Sequence, residues 1–456
     1  MTETASIPVG AAIPGAVPKV GPFRPSKLPA VEERVLSNGL RALAVRKPAI
    51  PLVQARLVLP AARPKATSAD RAKQLVLAET LLSGTQQRNS VEIAEALQRM
   101  GGSLSAHVDS EDLRLRGSAL STSLGDFLGL IGELLAEPAF PKDEVEIERA
   151  RRAQEVLLQL AEPSVIAQLA MKRRIFGEHP YAAVLPTPEE VSSVSAADLR
   201  RYFTSRVTAR DGVLVLVGDL RPAKALDAAE EALGAWTGAS SASRLPKLPR
   251  IDPGPILLVD RPGAAQSNVR IAGAALTRRD AALPALQLAN MIFGGYFSSR
   301  LVENIRENKG YTYSPRSWID HQPLGSVLMV SADVGTEVTA PALLEMRYEL
   351  GRIATLPVET DELDAARRYL IGTTALSTQT QSGLTEYLVA LSLAGLGLDY
   401  LRDLPKRLEK VTVDEVRDAA AEYLAPARLP TVIVGDAKAV RGSLETLDTV
   451  EDFPEA

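Results

Sequence analysis

The chain has 456 residues, a length that predicts about three domains of ~150 residues or two larger ones. Its composition, 46% hydrophobic and 24% charged, is typical of a globular protein with sizeable cores, and a net charge of −4 gives no indication of a nucleic-acid partner. The sequence contains no cysteine, which excludes thiol catalysis, disulfides and cysteine metal sites.

Residues 1–29 form a proline-rich N-terminal arm, with prolines at positions 8, 14, 18, 22, 25 and 29. The arm does not have the pattern of a signal peptide, because no basic segment is followed by a continuous apolar stretch. Apolar stretches elsewhere, such as residues 388–398, are far shorter than the ~20 residues of a membrane span. We therefore expect a cytoplasmic protein without a membrane span.

The elements of the first half alternate unevenly between strand and helix patterns. Alternating apolar residues predict strands, and three- to four-residue spacings predict helices, with Ser90 as a helix N-cap but without a full capping box. Helices that follow short alternating strands predict an α+β fold, in which helices cover a mainly antiparallel sheet. The predicted elements are strands 41–45 and 53–59, helices 69–82 and 90–100, a hairpin of strands 104–108 and 112–118, and helices 124–135 and 142–159.

The chain also contains an internal duplication. Residues 194–219 and 411–436 each show a helix pattern followed by an apolar strand that ends in Val-Gly-Asp, and they are offset by 217 residues without a gap. Residues 43–59 and 257–274, at the starts of the two halves, are similar at nearly the same offset. A period this long indicates two homologous halves rather than a solenoid, whose repeats span ~20–50 residues.

A segment rich in serine, proline and glycine at 238–255 predicts an extended linker between the halves. We accordingly expect an N-terminal domain at 30–237, a C-terminal domain at 256–442 and an acidic tail at 443–456.

The most specific motif of the chain lies at 294–313, Gly-Gly-Tyr-Phe-Ser-Ser-Arg-Leu followed by Ile-Arg-Glu-Asn-Lys-Gly-Tyr-Thr-Tyr. Phe297, Leu301 and Ile305 are spaced four residues apart, which predicts a helix with one buried stripe.

Local signals place two polar side chains near the end of this helix. Ser298 or Ser299 can cap its start, and Gly310 suits a left-handed turn at its end. Arg306 would then lie on the last turn and Tyr313 in the extended segment that follows, so that the two can converge. A fixed guanidinium and a phenol are donors suited to an oxyanion, and each such donor contributes ~10²–10³ in rate.

This motif resembles the arginine/tyrosine substrate-binding pair of the pitrilysin/insulinase family of zinc peptidases, the inverzincins. The resemblance covers about residues 30–440 and implies two similar halves that face each other like a clam shell. It implies that Arg306 and Tyr313 orient substrate, and that Gly294 and Gly295 allow backbone to approach closely, near the substrate.

The zinc motif of that family, H-x-x-E-H, is absent from the sequence. Counting back from the landmark Gly84-Thr85, Leu75 and Glu79 stand where the family has its two histidines. Ala78 replaces the general-base glutamate, and Glu155 matches the third ligand. Leucine has no lone pair for zinc and alanine cannot accept a proton, so we expect no metal in this chain and interpret Glu155 as a helix-surface residue.

The three histidines of the chain do not restore a metal site. His107, His179 and His321 are too far apart in sequence to share a helix face. We interpret each as a hydrogen-bonded structural residue.

The resemblance therefore implies a non-zinc subunit of a heterodimeric zinc metallopeptidase that hydrolyses peptides. Arg306 and Tyr313 would complete an active site whose zinc and H-x-x-E-H belong to a paralogous partner, and the chain alone would be inactive. The alternative is a non-catalytic scaffold or peptide-binding relative of this family, for instance a homodimer.

Overall fold

A computed structural model of the chain describes residues 28–61, 67–182, 185–240 and 244–453. Apart from its last two residues, the proline-rich arm predicted at 1–29 lies outside the described residues. Within the described part, no helix is both long enough and apolar enough to cross a membrane.

The first sheet has six strands in the order β1-β2-β6-β3-β5-β4. All neighbours are antiparallel except β2 and β6, which run parallel. Every strand predicted in this half is present. The strands are β1 (Val31–Val35), β2 (Arg41–Arg46), β3 (Leu52–Pro60), β4 (Ser103–Val108), β5 (Asp112–Leu120) and β6 (Val213–Gly218).

The four predicted helices of this half are also present, with ends within two residues of the predictions. The prediction for the N-cap of α2 is wrong, because Asn89 caps this helix: its side chain accepts from the Glu92 N–H at 3.0 Å, and the Glu92 carboxylate accepts from the Asn89 N–H at 2.8 Å. The helices are α1 (Ser68–Thr80), α2 (Ser90–Arg99), α3 (Leu124–Ala136), α4 (Lys142–Ala161), α5 (Pro163–Phe176), α6 (Pro188–Ser192), α7 (Ala196–Arg206) and α8 (Pro222–Leu233).

The second sheet repeats the first. Its order is β12-β7-β11-β8-β10-β9, in which the last five strands correspond to β2-β6-β3-β5-β4, including the parallel pair β7 and β11. The edge differs, because β12 runs parallel to β7 and comes from the segment predicted as an acidic tail. The strands are β7 (Ile256–Asp260), β8 (Gln266–Ala275), β9 (Arg316–Gln322), β10 (Gly325–Gly335), β11 (Thr431–Gly435) and β12 (Val450–Asp452).

The helices of the second half follow the same plan, with two π-helical turns at Met291–Gly295 and Glu303–Asn308. The predicted α+β fold with two homologous halves is thereby confirmed. The helices are α9 (Leu283–Asn290), α10 (Arg300–Val302), α11 (Thr339–Thr355), α12 (Thr360–Ser377), α13 (Gln381–Leu393), α14 (Asp399–Lys410), α15 (Val413–Tyr423) and α16 (Ala437–Leu444).

The duplication extends to the hydrogen bonds that begin equivalent helices. Ser195 and Asp198 form a capping box at the start of α7, and Thr412 and Glu415 form the same box at the start of α15, 217 residues later. Each box satisfies backbone donors that the first helical turn leaves unpaired, which explains why both helices begin at equivalent positions.

Each half contributes one helix that packs on the sheet of the other half. Helix α13 of the second half lies on β3 and β6 of the first sheet, where Leu384 and Leu388 share a buried cluster with Val215. Helix α5 of the first half lies on β8 and β11 of the second sheet, where Met171 packs in a cluster with Val432. Both faces of each sheet are therefore covered, one of them by a helix from the other half.

Candidate functional site

The helix that carries Arg306 begins later than its apolar spacing indicates. Ser299 has extended backbone angles and α10 starts at Arg300. Leu301 and Ile305 are fully buried, as predicted, but the Phe297 side chain is 62% exposed. The assignment of Phe297 to the buried stripe is wrong, because this residue precedes the helix and is not in its register.

A glycine turn ends this helix, as predicted. Gly310 has φ of +66°, and its N–H donates to the Arg306 carbonyl at 3.1 Å. The chain then has no regular secondary structure until β9 starts at Arg316, and Tyr313 lies in a bend before the strand.

The predicted pair, Arg306 and Tyr313, is in direct contact. The guanidinium carbon lies 4.6 Å from the centroid of the Tyr313 ring and 4.7 Å from that of Phe297. The Arg306 Nε forms an ion pair with Glu307 at 3.1 Å. Tyr313 is 79% exposed, and neither its hydroxyl nor the Arg306 guanidinium donates a hydrogen bond to a described residue.

These residues line an open cleft of about 290 Å³, called here the arginine cleft. A second arginine also lines it: the Arg316 guanidinium carbon lies 4.8 Å from the centroid of the Trp318 ring. The lining residues are Gly294, Gly295, Tyr296, Phe297, Val302, Arg306, Tyr313, Ser314, Pro315 and Arg316.

Internal packing leaves little room for a side chain at the two glycines of the motif. A Cβ on Gly294 would lie 2.8 Å from the Ser317 hydroxyl oxygen and 3.1 Å from a Leu301 methyl carbon. A Cβ on Gly295 would lie 3.1 Å from the Asn290 carbonyl oxygen. Both glycines line the cleft, and a contact with substrate stays a prediction for them.

A buried ion pair supports the cleft from below. Arg300 binds Glu362 of α12 through two parallel hydrogen bonds, of 2.6 and 2.7 Å. The Arg300 side chain is only 7% exposed. This bidentate pair anchors the start of the helix that presents Arg306.

Sequence patterns did not single out Phe297 or Arg316 as site residues. The Arg-x-Trp spacing of Arg316 and Trp318 could have indicated the second, since alternate residues of a strand share one face and an arginine there can stack on the ring.

The positions that match the zinc motif lie on two adjacent helices. Glu79 is near the end of α1 and Glu155 is on α4, and the Arg152 guanidinium lies between them. One Arg152 nitrogen donates to Glu155 at 2.5 Å and the other donates to Glu79. Arg151 contacts the same two carboxylates, at 2.8 Å for Glu155 and 3.5 Å for Glu79. Glu155 is thus partly exposed on the helix, as expected, and held in these ion pairs.

Neither remaining position supplies a ligand: Leu75 packs partly buried against the core, and Ala78 is buried. Zinc in proteins is held by three or four nitrogen, sulfur or oxygen ligands. Here the carboxylates of Glu79 and Glu155 are already paired with the Arg152 guanidinium. The described residues contain no group of three or more acidic, histidine or cysteine side chains placed for a metal. The residues present do not fit zinc.

The histidines lie elsewhere. His107 lies on β4, where partial burial of its ring lowers its pKa and Arg71 adds to the effect. His179 is buried, with its Nε2 3.0 Å from the Pro246 carbonyl oxygen. Burial, with a smaller contribution from Arg278, lowers the pKa of His321 to about 4.

A further titratable group lies where the halves meet. Glu111, in the turn between β4 and β5, accepts a hydrogen bond from the Tyr181 hydroxyl. Tyr181 itself packs in the cluster formed with the second sheet. Burial raises the pKa of Glu111 to about 7, an effect to which Asp109 and Asp112 add. Burial likewise raises the pKa of Asp112 to about 6.

Two family models match stretches of the chain. Residues 76–189 match the model of "Insulinase (Peptidase family M16)", and residues 193–370 match that of "Peptidase M16 inactive domain". The chain is 25% identical to the "Non-peptidase homolog YmxG" of Helicobacter pylori over 80% of this chain and 84% of that protein. It is 24% identical to an uncharacterized zinc protease of Streptomyces coelicolor over 78% of this chain and 79% of that protein.

Solved structures show the same fold. A peptidase M16 inactive domain from Pseudomonas fluorescens superposes with a TM-score of 0.79 at 22% identity, covering 89% of this chain and 98% of that one. A protease from Helicobacter pylori superposes with a TM-score of 0.81 at 17% identity, covering 89% and 100%. The chain belongs to the M16 peptidase family, the insulinases, and its similarities within that family include proteins described as inactive or non-peptidase.

Proposed function

We propose that this chain is the non-zinc subunit of a heterodimeric zinc metallopeptidase and contributes Arg306 and Tyr313 to a shared active site. One observation carries the proposal: the two donors lie together in an open cleft and donate no hydrogen bond to the described residues of their own chain. Donors held in this way are available to a peptide.

The chemistry assigned to the pair is the binding of a scissile carbonyl and of the oxyanion that forms from it. The guanidinium is fixed by two aromatic rings and by Glu307, so little order has to be imposed when substrate binds. Zinc, its water and the general base would come from the paralogous partner with H-x-x-E-H. This chain's residues would bind and orient the peptide.

A second candidate is a non-catalytic scaffold or peptide-binding protein, a homodimer in its simplest form. It is favoured by the ion pairs at the zinc position and by the description of the Helicobacter pylori relative as a non-peptidase. The exposed Arg306/Tyr313 pair favours the peptidase subunit, because a scaffold does not require free donors aimed at a peptide.

A mixing experiment tests the proposal. The chain alone should bind no zinc and cleave no peptide, and it should become active with a paralogous H-x-x-E-H chain from the same genome. In that complex Arg306→Ala and Tyr313→Phe should each lower kcat by about 10²–10³-fold, the usual effect of removing one oxyanion donor.

Matched controls are Arg417→Ala, which changes a half-buried residue of α15 outside the cleft lining, and Tyr348→Phe, which changes an exposed residue of α11. Unchanged activity in both cleft variants would reject the assigned roles. A stable homodimer that no paralogous chain displaces, and that stays inactive with every such chain, would support the scaffold instead.

A further inference from the structure

We propose that Arg316 makes the arginine cleft selective for peptides that carry a carboxylate. This inference rests on the proposed function for its link to catalysis, but the binding that it describes belongs to this chain alone.

The charge of the cleft differs from that of the whole molecule. The chain has a net charge of −4, yet the residues that line the cleft include two arginines and no aspartate or glutamate. The nearest recorded acidic partner, Glu307, pairs with the Arg306 Nε from outside that lining. The cleft is therefore a locally cationic surface on an acidic protein, which favours anionic ligands.

Arg316 is fixed but has no counter-charge. It is exposed, and alternation along β9 places it on the same sheet face as Trp318, whose ring it covers. Within the part of the chain that the structure describes, Arg316 has neither a hydrogen bond nor an ion pair through its side chain. Stacking on the ring uses the guanidinium face and leaves the N–H groups at its edge available.

The chemistry of a second arginine differs from that of the first. One guanidinium and one phenol suffice for a single carbonyl oxygen, and Arg306 and Tyr313 already supply them. A planar guanidinium with a free edge matches a carboxylate, which it binds through two parallel hydrogen bonds. The ligand chemistry is thus a peptide carboxylate, from an aspartate or glutamate side chain or from a free C-terminus.

Binding to the chain alone is the direct test. Fluorescently labelled peptides of one sequence would be compared by polarisation: an amidated peptide with glutamate at one position, the same peptide with glutamine there, and the glutamine peptide with a free C-terminus. We expect at least one carboxylate peptide to bind about tenfold more tightly than the neutral peptide, the order expected for a charge-assisted hydrogen bond. The peptide that binds most tightly identifies whether the carboxylate comes from a side chain or from the C-terminus.

Matched variants assign this selectivity to one residue. Arg316→Gln should abolish the preference, Arg316→Lys should keep part of it, and Arg417→Gln, with the same change of charge outside the cleft, should keep all of it. An unchanged thermal midpoint would verify that the variants are folded. Equal affinity for all three peptides, or a preference that survives Arg316→Gln, would overturn the inference.

The complex with the zinc-bearing partner separates this inference from the proposed function. If the complex cleaves the glutamate and glutamine peptides with equal kcat/KM and the chain binds them equally, the inference fails and the proposed function stands. If Arg316-dependent binding is seen but no paralogous chain confers activity, the proposed function fails and the inference stands.

Discussion

Arginines occur in both halves of this molecule near the residues that the sequence motifs single out, and their surroundings differ. On the α1/α4 face, Arg151 and Arg152 are neutralised by Glu79 and Glu155. In the arginine cleft, the guanidiniums of Arg306 and Arg316 lie over aromatic rings, and of the two only Arg306 has an acidic partner among the described residues, Glu307 at its Nε. A charge paired within the chain stabilises the fold, whereas a charge held by rings with its edge free remains available to a ligand.

The largest expected effect concerns the support beneath the cleft. Arg300→Met should lower the free energy of unfolding by about 3–5 kcal/mol, because it leaves Glu362 largely buried without its bidentate partner. Chemical denaturation measures the loss, and the control is Arg417→Met, which removes ion pairs with the exposed carboxylates of Asp414 and Asp418 and should cost much less, because exposed ion pairs contribute little to stability. A loss below about 1 kcal/mol would show that the cleft does not depend on this pair.

The second prediction concerns the α1/α4 face, where substitutions can restore the residues of the family's zinc motif. The triple variant Leu75→His, Ala78→Glu and Glu79→His restores the H-x-x-E-H letters, but the Arg152 guanidinium remains near Glu155. Adding Arg152→Ala should therefore strengthen zinc binding by about 10²-fold, as expected when ~2.7 kcal/mol of charge repulsion is removed. Zinc titration against a chelator measures both variants. Equal affinity would mean that the arginine does not block the metal.

The third prediction concerns Glu111, at the junction of the two halves. Its pKa is raised from the ordinary 4.5 to about 7, so the folded state holds this proton more tightly than the unfolded chain does. The group stabilises the fold fully below pH 4.5, and this stabilisation is lost as the pH rises through 7.

Glu111→Gln should accordingly remove a decline in stability of about 2 kcal/mol between pH 4.5 and 8, a value reduced for partial exposure to solvent. Denaturation of both proteins at the two pH values gives the difference. The pKa of Asp112 is also raised, but Asp112 is present in both proteins, so its effect cancels in the comparison. The control is Glu231→Gln, at an exposed residue. Parallel stability curves for the wild type and Glu111→Gln would contradict the prediction.

The smallest effect should come from Phe297. Removing its ring in Phe297→Ala takes away one of the two aromatic contacts of Arg306, worth about 0.5–1 kcal/mol at an exposed site. We expect peptide affinity to fall two- to fivefold with no change in unfolding, and Tyr348→Ala, at an exposed residue that does not line the cleft, to change neither. A loss as large as that of Arg306→Ala would mean that Phe297 contacts the peptide itself.

Features with local causes were predictable from the sequence. The strands follow from alternation, and the halves follow from the repeat that ends at Asp219 and Asp436. The turn at Gly310 follows from the left-handed conformation that glycine adopts at a helix end. The capping box of Asn89 and Glu92 also has a local cause, and the prediction of Ser90 as the cap is wrong by one residue.

The remaining features depend on tertiary contacts. The contact of Arg152 with Glu79 joins residues 73 positions apart on two helices, and no spacing rule connects them. Phe297 fits the apolar spacing of Leu301 and Ile305, yet the helix starts after it. The spacing therefore predicts the burial of Leu301 and Ile305 correctly and that of Phe297 wrongly. Stacking of Arg306 on two rings likewise requires the fold that places them.

The exchange of α5 and α13 has a consequence for how the chain is built. Either half alone would leave one face of its sheet bare, because the helix that covers it belongs to the other half. A single ancestral half with this layout would need a second copy of itself, as in a domain-swapped homodimer. Joining two such copies through residues 238–255 turns an association between molecules into a step within one molecule, which no longer depends on protein concentration.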